Sequence, residues 1–167
     1  MPDLDKHVTT IVAATLAAAA LGYMVVKHRS SAAEAQKKKS GTLYERIGGP
    51  AAVDAAVDIF YQKVLADPKI NHFFAHTNMT KQRQKQKNFM SYAFGAPGKY
   101  TGLAMDAAHR KLVREQGMND SHFDAVAGHL KSTLEELKVD PALINEVLTA
   151  VEGLREQVMC RGQWANP

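Results

Sequence analysis

His109 is the residue whose type and position point most directly to chemistry. Met105, His109, Leu112 and Val113 recur at helical spacing, so a helix through this segment would carry them on one side. An imidazole within an apolar stripe needs a polar partner once it is buried. The residues alone leave two interpretations open: a core histidine that donates to a carbonyl group, or the ligand of a metal that arrives inside an apolar cofactor.

A second set of polar side chains is expected to face the interior. Gln82 and Gln86 lie one turn apart on a helix predicted over 79–94. Buried amides require hydrogen-bond partners, and Tyr61 on the preceding helix can provide one. A phenol and two amides that converge in an apolar cavity would suit a small polar ligand, whereas a rotated helix would leave both glutamines at the rim. The apolar residues on the same face are Phe89, Met90 and Ala93.

Lys85 is a third candidate on the same helix. Three residues advance a helix by about 300°, so Lys85 lies about 60° from Gln82 and can reach the same region. A surface lysine that pairs with an acid, or that extends along the helix, is the more common arrangement.

The elements that position these residues are all predicted to be helices, because no alternating strand pattern occurs from Thr42 onward. Thr42 to Glu45 reads as a capping box, and Gly48-Gly49-Pro50 separates its short helix from the next. Asn78 and Asp140 are expected to cap later helices. The predicted helices are 51–66, 79–94, a short His109 helix that ends near Gly117, a long helix from Asn119 or Asp120 through Leu137, and a last helix from Pro141 to about Cys160.

Composition and charge narrow the class of protein. The chain has 167 residues, is 46% hydrophobic and carries a net charge of +4. Residues 1–41 hold six basic and three acidic side chains, and the remainder holds fifteen basic and fourteen acidic ones. This nearly neutral remainder argues against nucleic-acid binding by the domain. A single cysteine, Cys160, excludes an internal disulfide and a cysteine-based zinc site.

The N-terminal part differs from the rest in pattern. Residues 8–26 form a run of nineteen without a charge, and a helix of that length spans about 28 Å. Lys27 and Arg29 follow the run, so it is interpreted as a membrane anchor (1–29) that leaves the domain on the cytoplasmic side. A cleaved targeting segment for an organelle is the alternative. A polar linker (30–41), a domain (42–160) and a flexible tail (161–167) complete the predicted organisation.

Several motifs, taken in order and spacing, resemble the group I truncated haemoglobins, and the likeness is greatest to cyanobacterial and green-algal members. The resemblance extends from about Thr42 to Cys160. It implies an all-α fold, a two-on-two helical sandwich around non-covalent haem b. The motifs are Gly48-Gly49-Pro50, Phe60-Tyr61, Phe73-Phe74, Gln82-x-x-x-Gln86 with Phe89 and Met90, Tyr92-Ala93-Phe94-Gly95 and Ala107-Ala108-His109.

The resemblance also implies roles for individual residues. His109 matches the proximal iron ligand, and Tyr61, Gln82 and Gln86 match the distal set that hydrogen-bonds the ligand. Lys85 stands where some members have a histidine as sixth iron ligand, and a neutral amine could act likewise. Glu156 stands where some members have a histidine bonded covalently to haem, so no covalent link is expected. The residues expected to contact haem are Phe74, Phe89, Met90, Met105 and His109.

Three hypotheses follow for function. The first is a membrane-tethered haem protein that binds O₂, nitric oxide or carbon monoxide and oxidises nitric oxide to nitrate. Its electrons would come from a separate reductase, because the sequence has no flavin or nicotinamide motif. The second is a redox or sensor module whose haem is six-coordinate through Lys85. The third is a helical interaction module without haem, and the ferric and ferrous absorption spectra distinguish the three.

Overall fold

The computed structural model describes residues 40–164, apart from the side chain of Trp164, and this part of the chain is helical without strands. The prediction of an all-α fold is confirmed. The helices are α1 (Leu43–Arg46), α2 (Gly49–Ala66), α3 (Met79–Ala93), α4 (Met105–Glu115), α5 (Asp120–Glu136), α6 (Pro141–Glu152) and α7 (Arg155–Val158), with 3₁₀ turns at Asn71–Phe74 and Gly162–Trp164.

Side chains that accept from free backbone N–H groups fix where several helices begin. Thr42 and Glu45 form a reciprocal capping box at α1, with bonds of 3.3 and 3.1 Å. Asn78 accepts from the N–H of Lys81 at 3.0 Å at the start of α3. Asp140 caps α6 in the same way. Each such cap stabilises its helix by about 1 kcal/mol, which is why the predicted starts agree closely with the observed ones.

Glycine makes the turn between α1 and α2. Gly48 and Gly49 have φ angles of +114° and +65°. Residues with a Cβ atom rarely adopt such positive φ angles, whereas glycine adopts them readily. A Cβ on Gly48 would also lie 3.0 Å from the Cβ of Ala52. The turn therefore depends on glycine, and Pro50 continues directly into α2.

The core is organised around α2. This helix packs against α3 on one side and against α5 on another, and α5 packs against α6. The arrangement gives two helix pairs, α2 with α3 and α5 with α6. The buried residues of the main core are Val53, Val57, Phe60, Tyr61, Val64, Ile70, Met90, Phe94, Leu130, Leu134, Ile144 and Val147.

A smaller cluster holds α4 in place. Phe123 on α5 and Val158 and Met159 at the chain's C-terminal end are buried together, and Met105 on α4 packs against them. The helix that carries His109 is thus fastened through its first turn to the end of the domain.

The last predicted helix is divided in the structure. We predicted one helix from Pro141 to about Cys160, but α6 ends at Glu152 and α7 begins at Arg155. Gly153 lies at the break. Glycine loses more backbone entropy in a helix than other residues do, and this favours an interruption of the helix there. After the break, Arg155 donates to Asp120 at 3.1 Å and to Asp124 at 2.6 Å, both on α5.

The prediction of a membrane anchor and a membrane location is corrected. No helix within residues 40–164 is long and apolar enough to cross a bilayer. The run on which the prediction rested, 8–26, lies outside the described residues. Nine of its nineteen residues are alanine or threonine, whose side chains gain little free energy on transfer to hydrocarbon. Its length and lack of charge were therefore a weak basis for a spanning segment.

Candidate functional site

His109 is held in one orientation by its own helix. Its Nδ1–H donates to the carbonyl oxygen of Met105, one turn earlier, at 2.7 Å. A carbonyl oxygen can only accept, so the proton of the neutral ring is on Nδ1 and the lone pair is on Nε2. Burial lowers the pKa of His109, although the bond to Met105 opposes that shift. The ring is therefore neutral near pH 7, as a metal ligand must be.

The surroundings of His109 stabilise the first turns of α4. Arg110 donates to the carboxylate of Asp106 at 2.8 Å, and the Sγ of Cys160 donates to the carbonyl of Asp106 at 3.4 Å. Although its apolar side chains lie on one side, α4 has no fully buried residue. An apolar group of substantial area would fit against that side.

Tyr61 and Gln82 are brought together by α2 and α3. The Nε2–H of Gln82 donates to the hydroxyl oxygen of Tyr61 at 3.1 Å. Tyr61 is 1% exposed, and burial raises the pKa of its hydroxyl against smaller opposing effects of Gln82 and Arg83. The phenol therefore keeps its proton. Since Gln82 occupies an acceptor position of the hydroxyl oxygen, the O–H proton is available to a ligand.

Aromatic rings fix the position of the Tyr61 side chain. Phe60 and Phe74 both approach the Tyr61 ring edge-on, with centroid distances of 5.1 and 5.8 Å. These contacts restrict rotation of the phenol, so its hydroxyl has a defined direction.

Arg83 reaches this site, and the sequence interpretation missed it. The guanidinium of Arg83 lies 5.8 Å from the centroid of the Tyr61 ring and 3.6 Å from the carboxylate of Asp58. Such a distance permits a cation–π interaction. The spacing of Arg83 three residues before Gln86 was the available signal, because residues three apart are neighbours on one side of a helix.

The other predicted site residues have varied environments. Gln86, Phe89 and Met105 are half-buried. Met90 is 4% exposed and belongs to the main core, where it lines an apolar cavity of about 120 Å³. Lys85 is exposed on α3. Contacts of Met90 with haem, and ligation by Lys85, therefore stay predictions.

The donor set fits an iron porphyrin better than a bare metal ion. Within residues 40–164, no group of three or more His, Cys, Asp or Glu side chains could hold a metal. A metal bound at Nε2 of His109 would need its other ligands from elsewhere, and a porphyrin supplies four nitrogens together with a large apolar surface. The imidazole of His109 and the apolar side of α4 match that requirement.

Comparison with known proteins decides the family. Residues 42–160 match a family model described as Bacterial-like globin. The group 1 truncated hemoglobin of Synechocystis sp. is 54% identical over 112 residues, which cover 67% of this chain and 90% of that protein. This chain belongs to the group 1 truncated haemoglobins. The resemblance seen in the sequence is thereby confirmed, and Chlamydomonas moewusii has a relative of the same family.

Solved truncated haemoglobins confirm the two-on-two fold. The 2/2 hemoglobin of Synechococcus sp., crystallised in the cyanomet state with covalently attached heme, superposes with a TM-score of 0.71. It is 51% identical and covers 72% of this chain and 100% of its own. The helix pairs α2 with α3 and α5 with α6 are the two layers of this fold.

A relative from Tetrahymena pyriformis bears on the residues around Tyr61. Its structure is 39% identical, covers 71% of this chain and 98% of its own, and superposes with a TM-score of 0.66. It has been solved with single substitutions at a tyrosine and at two glutamines that follow it by 21 and then four residues. Tyr61, Gln82 and Gln86 of this truncated haemoglobin have the same separations.

Proposed function

We propose that this protein binds haem b non-covalently through His109, binds O₂ there, and oxidises nitric oxide to nitrate. The observation that carries the proposal is the hydrogen bond from Nδ1 of His109 to Met105, which directs a neutral Nε2 away from its own helix. When bound, haem supplies a ferrous iron that takes O₂, whose two oxygen atoms pass to nitric oxide to give nitrate and ferric iron. A separate protein returns one electron for each turnover.

The chain's own residues hold and orient the reactants. His109 binds the iron from one side, and its bond to Met105 keeps the imidazole plane fixed. Tyr61 donates its O–H to a bound ligand that gains partial negative charge, and Gln82 keeps that hydroxyl aligned by donating to its oxygen. The rings of Phe60 and Phe74 around Tyr61 limit access of water, which strengthens the hydrogen bond to the ligand.

The reaction is tested by its product. Reduced protein in air-saturated buffer, given nitric oxide in small increments with an artificial electron donor, should convert it mainly to nitrate. Uncatalysed oxidation of nitric oxide by O₂ in water gives nitrite instead. Ion chromatography of both anions therefore distinguishes the two routes, with haem-free protein as the control. A product that is mainly nitrite would refute the oxidation of nitric oxide but would leave O₂ binding standing.

Ligation by Lys85 is the second candidate. Within residues 40–164, Arg83 and Lys87 pair with Asp58 and Asp54 of α2, whereas no ion pair includes Lys85. Its amine is thus available one residue before Gln86, and it could close the sixth position of the iron in a redox or sensor module.

The ferric spectrum tests that candidate. If Lys85 binds iron, the wild-type ferric protein should have a six-coordinate low-spin spectrum, because the amine would add a nitrogen ligand at the sixth position. Lys85→Ala should convert that spectrum to a high-spin or water-bound form, and Lys81→Ala, an exposed lysine one turn away, should not. Identical spectra for the wild type and Lys85→Ala would exclude the ligation.

A further inference from the structure

Charge is distributed unevenly within the domain. The segment 68–105 has six basic side chains and no acidic one, whereas the rest of 42–164 has nine basic and fourteen acidic side chains. The basic segment covers the first 3₁₀ turn, α3 and the loop that follows. This segment of the chain therefore has a formal charge of +6 and the rest of 42–164 has −5, a separation that the small net charge conceals. The six side chains are Lys69, Lys81, Arg83, Lys85, Lys87 and Lys99.

The outer side of α3 presents part of this charge to solvent. Lys81, Lys85, Asn88 and Tyr92 follow one another at offsets of four, three and four residues, so they lie on one side of the helix, and all four are exposed. The partly buried Arg83 and Lys87 instead point towards the aspartates of α2.

An aromatic pair fastens the following loop to this side of α3. The rings of Tyr92 and Tyr100 stack with centroids 5.3 Å apart and planes at 26°. Tyr100 also donates to the carbonyl of Leu103 at 3.1 Å. Lys99, which precedes Tyr100, is exposed beside the end of α3. We call Lys81, Lys85, Asn88, Tyr92 and Lys99 the α3 face.

We propose that the α3 face is the docking surface for an acidic electron-donor protein, such as a small [2Fe–2S] ferredoxin. This inference rests on the proposed function, which requires an external reductant. The lysines of the face give charge complementarity to an acidic partner. Tyr92 among them is 52% exposed, and tyrosine is a common centre of binding energy. In the reaction, one electron passes from the reduced cluster to ferric haem, which leaves an oxidised cluster and ferrous haem.

The charge separation favours a small acidic protein over an extended polyanion. A membrane surface or a nucleic acid would also approach the acidic remainder of the domain, whose formal charge is −5, and would be repelled. A small partner that covers only the α3 face meets the exposed Lys81, Lys85 and Lys99. The same separation orients the domain during approach, which raises the association rate at low ionic strength.

Charge reversal combined with rapid mixing tests the proposal. The haem-loaded full chain, in its ferric form and without O₂, is mixed with a reduced plant-type ferredoxin, and the appearance of ferrous haem is followed. Lys81→Glu/Lys99→Glu should lower the second-order rate constant about tenfold or more at low salt. The matched control is Lys111→Glu/Lys131→Glu, which changes the charge equally at two exposed lysines outside this face. It should stay within about twofold of the wild type, and all rates should converge at high salt.

Two further measurements separate this proposal from the proposed function. Dithionite, a small reductant, should reduce the haem of every variant at the same rate, so a slow reaction with dithionite would show a damaged haem site and overturn the docking interpretation. Carbodiimide cross-linking of oxidised ferredoxin, mapped by mass spectrometry, should involve Lys81 or Lys99. Equal ferredoxin rates for both double variants, or cross-links confined to Lys111 and Lys131, would overturn the proposal. So would a charge reversal that abolished binding to phosphatidylserine vesicles and left the ferredoxin rate unchanged.

Discussion

His109→Ala should abolish stoichiometric haem binding. In the wild type, the neutral Nε2 is the side-chain group that the structure offers to iron on α4, because Nδ1 donates to Met105. Without it, haem keeps only apolar contacts and loses its bond to the protein. Titration of the haem-free protein with hemin should give a sharp Soret endpoint for the wild type and only weak, unsaturated absorbance for the variant.

Rescue and control variants make this result interpretable. His109→Gly supplied with imidazole should recover the absorption band, because the free ring can occupy the space of the missing side chain. His76→Ala, at an exposed histidine, should titrate like the wild type. Circular dichroism shows whether each variant is folded. Normal hemin affinity in a folded His109→Ala protein would exclude the assigned ligand.

Haem should extract completely from the wild-type protein into acidified butanone. The reason is that Glu156, which pairs with Arg161, cannot form the covalent bond that a histidine forms with haem.

Tyr61→Phe should accelerate O₂ dissociation strongly. The substitution removes one hydroxyl and leaves the ring contacts with Phe60 and Phe74 in place. A hydrogen bond to a partly charged acceptor contributes about 1.5–3 kcal/mol, which corresponds to roughly a 10- to 150-fold faster dissociation. Mixing the oxygenated protein with carbon monoxide in a stopped-flow spectrometer measures that rate.

A second variant shows whether the effect belongs to the site. Tyr44→Phe removes a hydroxyl from another half-buried tyrosine, at α1, and should leave the dissociation rate within about twofold. Gln82→Leu should also raise the rate, by less than Tyr61→Phe, because Gln82 acts on the ligand through the alignment of Tyr61. An unchanged rate in Tyr61→Phe would remove the phenol from the ligand-binding set.

Helix boundaries were predictable where a single residue determines them. Thr42, Asn78 and Asp140 cap their helices through their own side chains, so the signal is local in the sequence. The division at Gly153 was not predictable in the same way. Glycine is tolerated within helices. The ion pairs that stabilise the divided helix join residues distant in sequence, such as Arg155 and Asp120.

The site could be predicted in part. Helical spacing placed His109 on an apolar side and suggested Tyr61 as a partner for Gln82, and the family resemblance supplied their roles. Spacing does not give the rotation of a helix about its axis, which packing sets. For this reason the spacing did not show that α3 brings Arg83 against Tyr61.

The backbone partner of His109 has a consequence for the reduction potential of the iron. A carboxylate at the carbonyl's position would attract the Nδ1 proton and give the imidazole anionic character, which stabilises the ferric state. The Met105 carbonyl carries only a partial charge, so His109 would bind the iron of the proposed haem site as a neutral ligand. Under the proposed function, the ferrous state would then be easier to reach, so a reductant of modest strength would suffice to restore it after each oxidation.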